Sequence, residues 1–229
     1  MKKLLKFLFY NQYFAKFLLK NILNIHSKTY ALSSRLSILL NSGIHPKHHI
    51  MGYKEWFLNH INHEWVVLDV GCNTGMMPEV MSIKADYVYG IELDCSYIEI
   101  AKCERQKKNV EYICADATTF NYSPLKAIDC VTLSNVLEHI ENRSEFLEKL
   151  ILHVKWKGSR RFLIRVPMID REWITVYKKE LGLEYRLDPT HYTEYTFEQF
   201  EMELREVNIS IISHHIRWGE IYAVCEAKV

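Results

Sequence analysis

No acidic residue occurs before Glu55, although the 229-residue chain carries 28 of them. The same stretch holds Lys2, Lys3, Lys6, Lys16, Lys20, Lys28, Arg35, Lys47 and Lys54. A wholly basic leader thus precedes a net acidic body, and the overall charge of +1 hides the division. Such a leader suits an anionic surface or partner, or docks on the chain's own acidic domain. None of the six cysteines (Cys72, Cys95, Cys103, Cys114, Cys130 and Cys225) falls in a C-x-x-C pair, which argues against a zinc site. Several sit in apolar runs, as free thiols do in a reducing, intracellular compartment. No run approaches the roughly 18 apolar residues of a spanning helix. MKKLLKFLFY resembles the start of a signal peptide, but Asn11 and Gln12 interrupt it and no small-residue cleavage site follows. Neither an internal repeat nor a low-complexity tract is present.

With 48% apolar and 13% aromatic residues, the chain can bury the core of one large domain that carries an appendage. Residues 1–50 form the predicted appendage, a basic helical extension. On a helical wheel Lys2, Lys6, Lys16, Lys20 and Asn24 share one side and Leu4, Leu8, Leu18, Leu19 and Ile22 the other, with Phe9 and Tyr13 misplaced on the basic side. Gly43 and Pro46 place a loop at 42–49. From residue 51 to 166, β-rich runs at Trp65–Val70, Tyr87–Ile91, Val110–Cys114, Ile128–Leu133 and Arg161–Val166 alternate with helical stretches near 75–84, 95–106 and 143–155. That alternation implies βαβ units and a parallel sheet. A polar segment then runs from Pro167 to about Thr196, followed by a helix near Phe197–Glu206. Two more β-rich runs, Asn208–His214 and Ile221–Glu226, are joined by a short link with Gly219, which predicts an antiparallel closing pair.

The segment Val66-Val-Leu-Asp-Val-Gly-Cys-Asn-Thr-Gly75 carries the chemistry. A buried strand ends in a glycine-bearing turn that opens a helix, whose first N–H groups are unpaired. A dinucleotide site would read G-x-G-x-x-G. Here Asn73 and Met76 stand where the later glycines belong. The D-x-G-x-x-x-G pattern instead resembles the first motif of class I S-adenosylmethionine (SAM) methyltransferases, whose usual form has glycine where Asn73 stands. Asparagine also tolerates left-handed backbone, so the turn can survive. The resemblance covers roughly residues 64–166. It implies a doubly wound, Rossmann-like, mostly parallel α/β sheet with an antiparallel C-terminal strand, and SAM as cofactor. It assigns Asp69, Gly71, Asn73 and Gly75 to the methionine side. Glu92, ending the second strand, would hold the ribose hydroxyls. Asp116 would accept from the adenine amino group, and the backbone N–H of Ala117 would meet the ring. Ser134 and Asn135 would line the methyl-transfer side, and Asp129 with Val136-Leu-Glu-His139 looks like the fourth-strand motif of small-molecule methyltransferases.

A methyl acceptor must be aligned with the sulfonium, and a hydroxyl acceptor gains from a general base. His139, after the fourth strand, and His191, in the polar and aromatic loop Asp188–Thr196, are the candidates. Each has an ordinary alternative, as a helix cap or a solvated loop residue. Tyr192 and Arg165 are secondary pocket candidates, and Arg165 can equally pair with an acid. His45, His48 and His49 read as surface residues, and no metal is expected. Arg161–Phe200 with Ile44-His-Pro-Lys-His48 resembles a methyltransferase branch of glycan and cell-envelope pathways, which implies a glycan, lipid-linked or small-molecule acceptor. The acceptor-pocket segment is expected at about 167–200, within a methyltransferase domain of 51–229. The leader has two uses: a lid on the cofactor crevice, or an amphipathic helix on an anionic membrane, giving a cytoplasmic chain or one peripheral to the membrane's inner face. The acidic body argues against nucleic acid as substrate. Two rivals remain, an NAD-dependent oxidoreductase of Rossmann type and a non-catalytic, degenerate methyltransferase-fold module.

Overall fold

Strands that are apolar on both faces must be covered on both, and that requirement organises the larger of two compact units in this chain. The computed structural model describes residues 11–228. The leader positions Lys2, Lys3, Leu4, Lys6, Leu8 and Phe9 lie outside the described residues. One unit takes the N-terminal segment through Met51 together with Glu172–Leu187; the other takes Gly52–Arg171 and Asp188–Val229.

In the first unit, α1 spans Gln12–Leu40. Asn11 caps it, its side-chain oxygen accepting from the N–H groups of Tyr13 (3.1 Å) and Phe14 (3.2 Å). Ser42 and Gly43, both left-handed, end it, and the Gly43 N–H returns to the Ile38 carbonyl at 2.9 Å. A short α2, Lys47–Ile50, follows the turn. Within the stretch that reads as a polar segment, the structure finds a further helix, Trp173–Glu180. Its Ile174-Thr-Val176 run favours strand by propensity. Burial of Thr175 and a 3.0 Å hydrogen bond from the Lys178 ammonium to the Ser27 hydroxyl fix it as helix within this unit. Among the described residues, no helix is long and apolar enough to cross a membrane.

The second unit holds a seven-stranded sheet of order β3-β2-β1-β4-β5-β7-β6. The strands are β1 Val66–Val70, β2 Tyr87–Glu92, β3 Val110–Cys114, β4 Ile128–Ser134, β5 Trp156–Pro167, β6 Ile209–Arg217 and β7 Glu220–Ala227. Strands β1 to β5 pair in parallel, while β7 lies antiparallel to both β5 and β6. This is the expected doubly wound sheet with its antiparallel C-terminal closure. The β6–β7 link is a two-residue turn in which Trp218 (φ 56°) and Gly219 (φ 72°) are both left-handed, the hairpin geometry that matches strand twist. The remaining helices of this unit are Tyr53–Asn59, Met76–Met81, Cys95–Glu104, Arg143–His153 and Phe197–Glu206. The last begins with a capping box between Thr196 and Gln199. All five residues of β1 are buried, and Leu68, Val131, Leu133, Phe162 and Ile164 anchor the central core.

Chain order reverses between β1 and β4, since β2 and β3 build outward on one side and β4 returns on the other. Such a switch point opens a crevice at the carboxyl ends of the strands. The cysteine reading is corrected here: Cys72, Cys130 and Cys225 are buried thiols and Cys103 an exposed one, but Cys95 and Cys114 are joined by a disulfide. Cys95 opens the helix that follows β2 and Cys114 ends the adjacent β3, so strand pairing brings together two residues whose spacing along the chain conceals the proximity. The bond closes a sequence separation of 19 residues. Its reduction should lower the unfolding free energy by about 3 kcal/mol, the chain-entropy cost of a loop this size. Urea denaturation with and without dithiothreitol measures this directly, and coincident curves would contradict it.

Candidate active site

The β1 turn is built on left-handed backbone at Gly71 (φ 71°), Asn73 (φ 48°) and Gly75 (φ 81°). Asn73 therefore does what glycine usually does at this point, at the modest cost that asparagine bears. A Cβ on Gly71 would lie 2.7 Å from Cγ2 of Val136, so glycine is needed for close approach as well as for φ. Gly75 plays a different part from its neighbour: a Cβ there would meet the Tyr112 hydroxyl at 2.7 Å and Ala101 at 2.8 Å. It lets the following helix pack on the sheet. The N–H groups of Gly71 (2.8 Å) and Cys72 (3.0 Å) both donate to the Ile91 carbonyl, tying the turn to the end of β2.

Glu92 extends that tie. One carboxylate oxygen accepts from the Asn73 N–H at 2.9 Å and the other from the Asp94 N–H at 3.0 Å. Asp116 sits after β3 in an Asx turn, accepting from the Thr118 N–H (2.8 Å) and hydroxyl (2.7 Å). Asp69 is buried beneath the turn, where its Oδ1 accepts from the Thr132 hydroxyl. Burial pushes its carboxyl from 3.8 up to about 7, opposed by the Thr132 bond and aided by the nearby Glu92 charge.

These elements border a cleft of about 1040 Å³ lined by Gly71, Asn73, Glu92, Asp116, Ala117, Asn135 and His139, along with Tyr192 and Lys149. Seven expected site residues thus meet in one crevice. Asp69, Gly75, Ser134 and His191 are not among those that line it. Asn135 (φ 57°) is held from three sides: its N–H donates to the Arg165 carbonyl (2.8 Å), its side-chain oxygen accepts from Arg165 Nε (3.0 Å), and its amide donates to Glu220 (3.2 Å). Arg165 is buried, 3.4 Å from Glu220 and stacked over the Tyr53 ring at 3.9 Å, so it braces the β4 end and pairs with an acid.

The two candidate bases come together. The His139 and His191 rings meet edge to face with centroids 4.6 Å apart. His139 Nδ1 lies 2.9 Å from the Thr190 hydroxyl, and burial with the His191 charge lowers its pKa from the usual value. His191 is buried, with Nδ1 3.0 Å from Glu194, whose second oxygen pairs with Arg171. A carboxylate accepting at Nδ1 fixes the tautomer and makes Nε2 the basic nitrogen. The loop that carries His191 is anchored by the Tyr192 N–H donating to the Glu138 carbonyl at 2.7 Å.

Sequence reasoning missed Glu138. It is fully buried, neither side-chain oxygen has a hydrogen-bond partner, and burial pushes its carboxyl up to about 8. Ligand-capable atoms of Glu138, His139 and His191 all lie within 4.8 Å of one another, the one such group among the described residues that could hold a metal ion. The available signals were the acid directly before a candidate base and the acid three residues after His191 (Glu194). His45, by contrast, is held by the Ser34 hydroxyl (3.0 Å) and the Lys47 N–H (3.0 Å).

Residues 68–159 match the family described as a methyltransferase domain. The chain is 27% identical over 121 residues to the ubiquinone biosynthesis O-methyltransferase of Coxiella burnetii, covering 52% of this chain and 50% of that protein. It is 29% identical over 123 residues to the protein of the same name from Bradyrhizobium diazoefficiens, covering 53% and 46%. The chain therefore spans about half the length of the curated relatives it matches. Two solved structures share the fold. A TehB-like SAM-dependent methyltransferase from Corynebacterium glutamicum superposes with a TM-score of 0.59 at 18% identity, over 90% of this chain and 100% of that one. Magnesium protoporphyrin IX methyltransferase from Synechocystis, solved with bound S-adenosylhomocysteine, gives 0.60 at 16%, over 80% and 83%. Residues 68–159 are thus similar to the methyltransferase-domain family, and the second unit has the fold found in SAM-dependent methyltransferases of known structure.

Two outcomes follow from the turn. Gly71→Ala, facing both a positive φ and the Val136 clash, should destabilise the fold by roughly 1–3 kcal/mol in chemical denaturation; an unchanged midpoint would show that the turn relaxes freely. Because the folded pKa of Asp69 lies above its unfolded value, its contribution to stability is fully present below about 4 and is lost as pH rises toward about 7. Thermal midpoints across that window should fall, and Asp69→Asn should flatten the fall.

Proposed function

We propose that this chain transfers a methyl group from SAM to a hydroxyl of a small-molecule, glycan or lipid-linked acceptor. The observation that carries the reading is the convergence, in one switch-point cleft, of two carboxylates at the ends of β2 and β3 with His139 after β4, whose ring meets that of His191 from the loop after β5. The cleft fits an adenosyl ligand. Gly71, Asn73, Glu92 and Asp116 line it together, and its volume of about 1040 Å³ suits a ligand of that size. Glu92 would hold the ribose hydroxyls, Asp116 and the Ala117 N–H the adenine, and the turn at Gly71–Asn73 the methionine end, with Asp69 and Gly75 shaping that turn from beneath. Ser134 and Asn135 would set the floor of the methyl-transfer side. When bound, SAM supplies an electrophilic methyl group on a sulfonium.

The acceptor's proton is the protein's task. His191, oriented through Glu194, is the base in this reading, and it reaches the acceptor's proton through His139, which meets its ring and lines the cleft. The names of the curated relatives support an oxygen acceptor. The cluster around Glu138 favours a second way to the same end. A divalent cation held by Glu138, His139 and His191 would satisfy an otherwise unpartnered buried carboxyl and lower the pKa of a hydroxyl beside it.

Both ways are tested by S-adenosylhomocysteine release with catechol and with methyl glucoside as hydroxyl probes. Glu92→Ala should weaken SAM binding about tenfold to a hundredfold, the worth of hydrogen bonds to a charged group. His191→Ala should spare SAM binding and slow turnover by about 10²–10⁴; undiminished turnover would remove it as the base. Chelation by EDTA should abolish turnover, with recovery on adding Mg²⁺, Mn²⁺ or Zn²⁺, if the cation serves; activity indifferent to chelation would leave the histidine acting alone.

A further inference from the structure

The outward side of α1 is apolar. Leu23 is the buried residue of this 29-residue helix, and the half-buried Leu19, Ser27, Ser34 and Ser37 share its face. At about 100° per residue, Phe14, Leu18, Ile25, Leu32, Leu36 and Leu39 fall on the opposite face. They are 37–75% exposed, with Leu39 the most open. The stripe extends for ~37 Å at 1.5 Å per residue. Scattered exposed leucines need no explanation, but a row along a helix that a single polar residue, Asn21, interrupts marks a surface that something covers.

Charge says what covers it. The stripe carries no charged side chain. Lys28 and Arg35 run along one margin, while Lys16 and Lys20 lie toward the Leu23 face, away from the stripe. No acid interrupts the leader up to Glu55. A protein groove is usually read by charges of both signs, whereas a lipid surface asks only for apolar side chains to enter and cations to meet phosphate. Lysine and arginine stems reach past an apolar face to place their charge at the headgroups. The helix is long enough to lie in that plane and is not apolar enough to span it. We propose that α1 docks this chain on an anionic lipid bilayer, with the Phe14–Leu39 stripe entering the headgroup boundary and the basic margin facing lipid phosphates. The proposal rests on α1 alone. It neither needs the methyl-transfer reading nor stands or falls with it.

Sedimentation of the full chain with vesicles of phosphatidylcholine, and of phosphatidylcholine with phosphatidylglycerol, tests it. Binding is expected only with the anionic vesicles, and it should weaken as salt rises. Leu32→Gln with Leu36→Gln should cut binding more than tenfold; glutamine keeps the helix, which circular dichroism verifies. Lys28→Gln and Arg35→Gln should each weaken it about fivefold. SAM affinity should be unchanged throughout, which separates a failure here from a failure at the cleft. Absence of vesicle binding at low salt, equal binding to both vesicle types, or binding untouched by these substitutions would overturn the proposal. So would a dimer in light scattering that the two leucine substitutions disperse while vesicle binding persists, because a second copy would then cover the stripe.

Discussion

Everything at the cleft depends on one tight clamp. The backbone leaving β1 turns left-handed at Gly71 and Asn73, and is tied to the end of β2 through the Ile91 carbonyl and the Glu92 carboxylate. That clamp holds Gly71 and Asn73 on the cleft wall. It also places a carboxylate, already fixed by two backbone donors, on the cleft wall. Removing either glycine geometry or the Glu92 bond would blur the position of both at once. The buried Asp69 below, bonded to Thr132 on the adjacent strand, holds the base of the turn across the β1–β4 switch point.

A second constraint acts at the other end of the cleft. The loop after β5 returns over the end of β4, anchored by the Tyr192 N–H on Glu138 and by the Met168–Tyr195 bridge. It thereby sets His191 against His139 and seals Glu138 from water. Burying a carboxyl with no partner is costly, and such groups are usually kept for a chemical reason. Arg165, stacked on Tyr53 and paired with Glu220, supports the same corner through Asn135.

The parallel strands were legible because each is a short apolar run bounded by turn residues, and their order along the chain implies the winding. Glu92 and Asp116 were legible because each directly follows a strand, and strand ends are where such a fold exposes its residues. Gly75 could be found by pattern but not understood: only its contact with Tyr112 and Ala101 shows that it serves packing. The helix at Trp173–Glu180 was hidden by β-branched residues, whose propensity is overridden within its unit by burial and the Lys178–Ser27 bond. The Cys95–Cys114 bond and the Glu138 cluster were hidden for a shared reason, since each depends on residues brought together by different strand ends and loops. The apolar face of α1 also differs from the one expected: Leu19 turns toward the buried Leu23 while Leu18 and Ile22 stay exposed, because packing within the unit and not the wheel chooses the covered side.

The most direct measurement is calorimetric titration of the purified chain with SAM, S-adenosylhomocysteine and NAD in parallel. The account predicts saturable binding of both adenosyl-sulfur ligands and none of NAD, whose pyrophosphate would require the glycines that Asn73 and Met76 replace. Binding of NAD alone would contradict the central claim, and binding of none of the three would leave a methyltransferase fold without its cofactor.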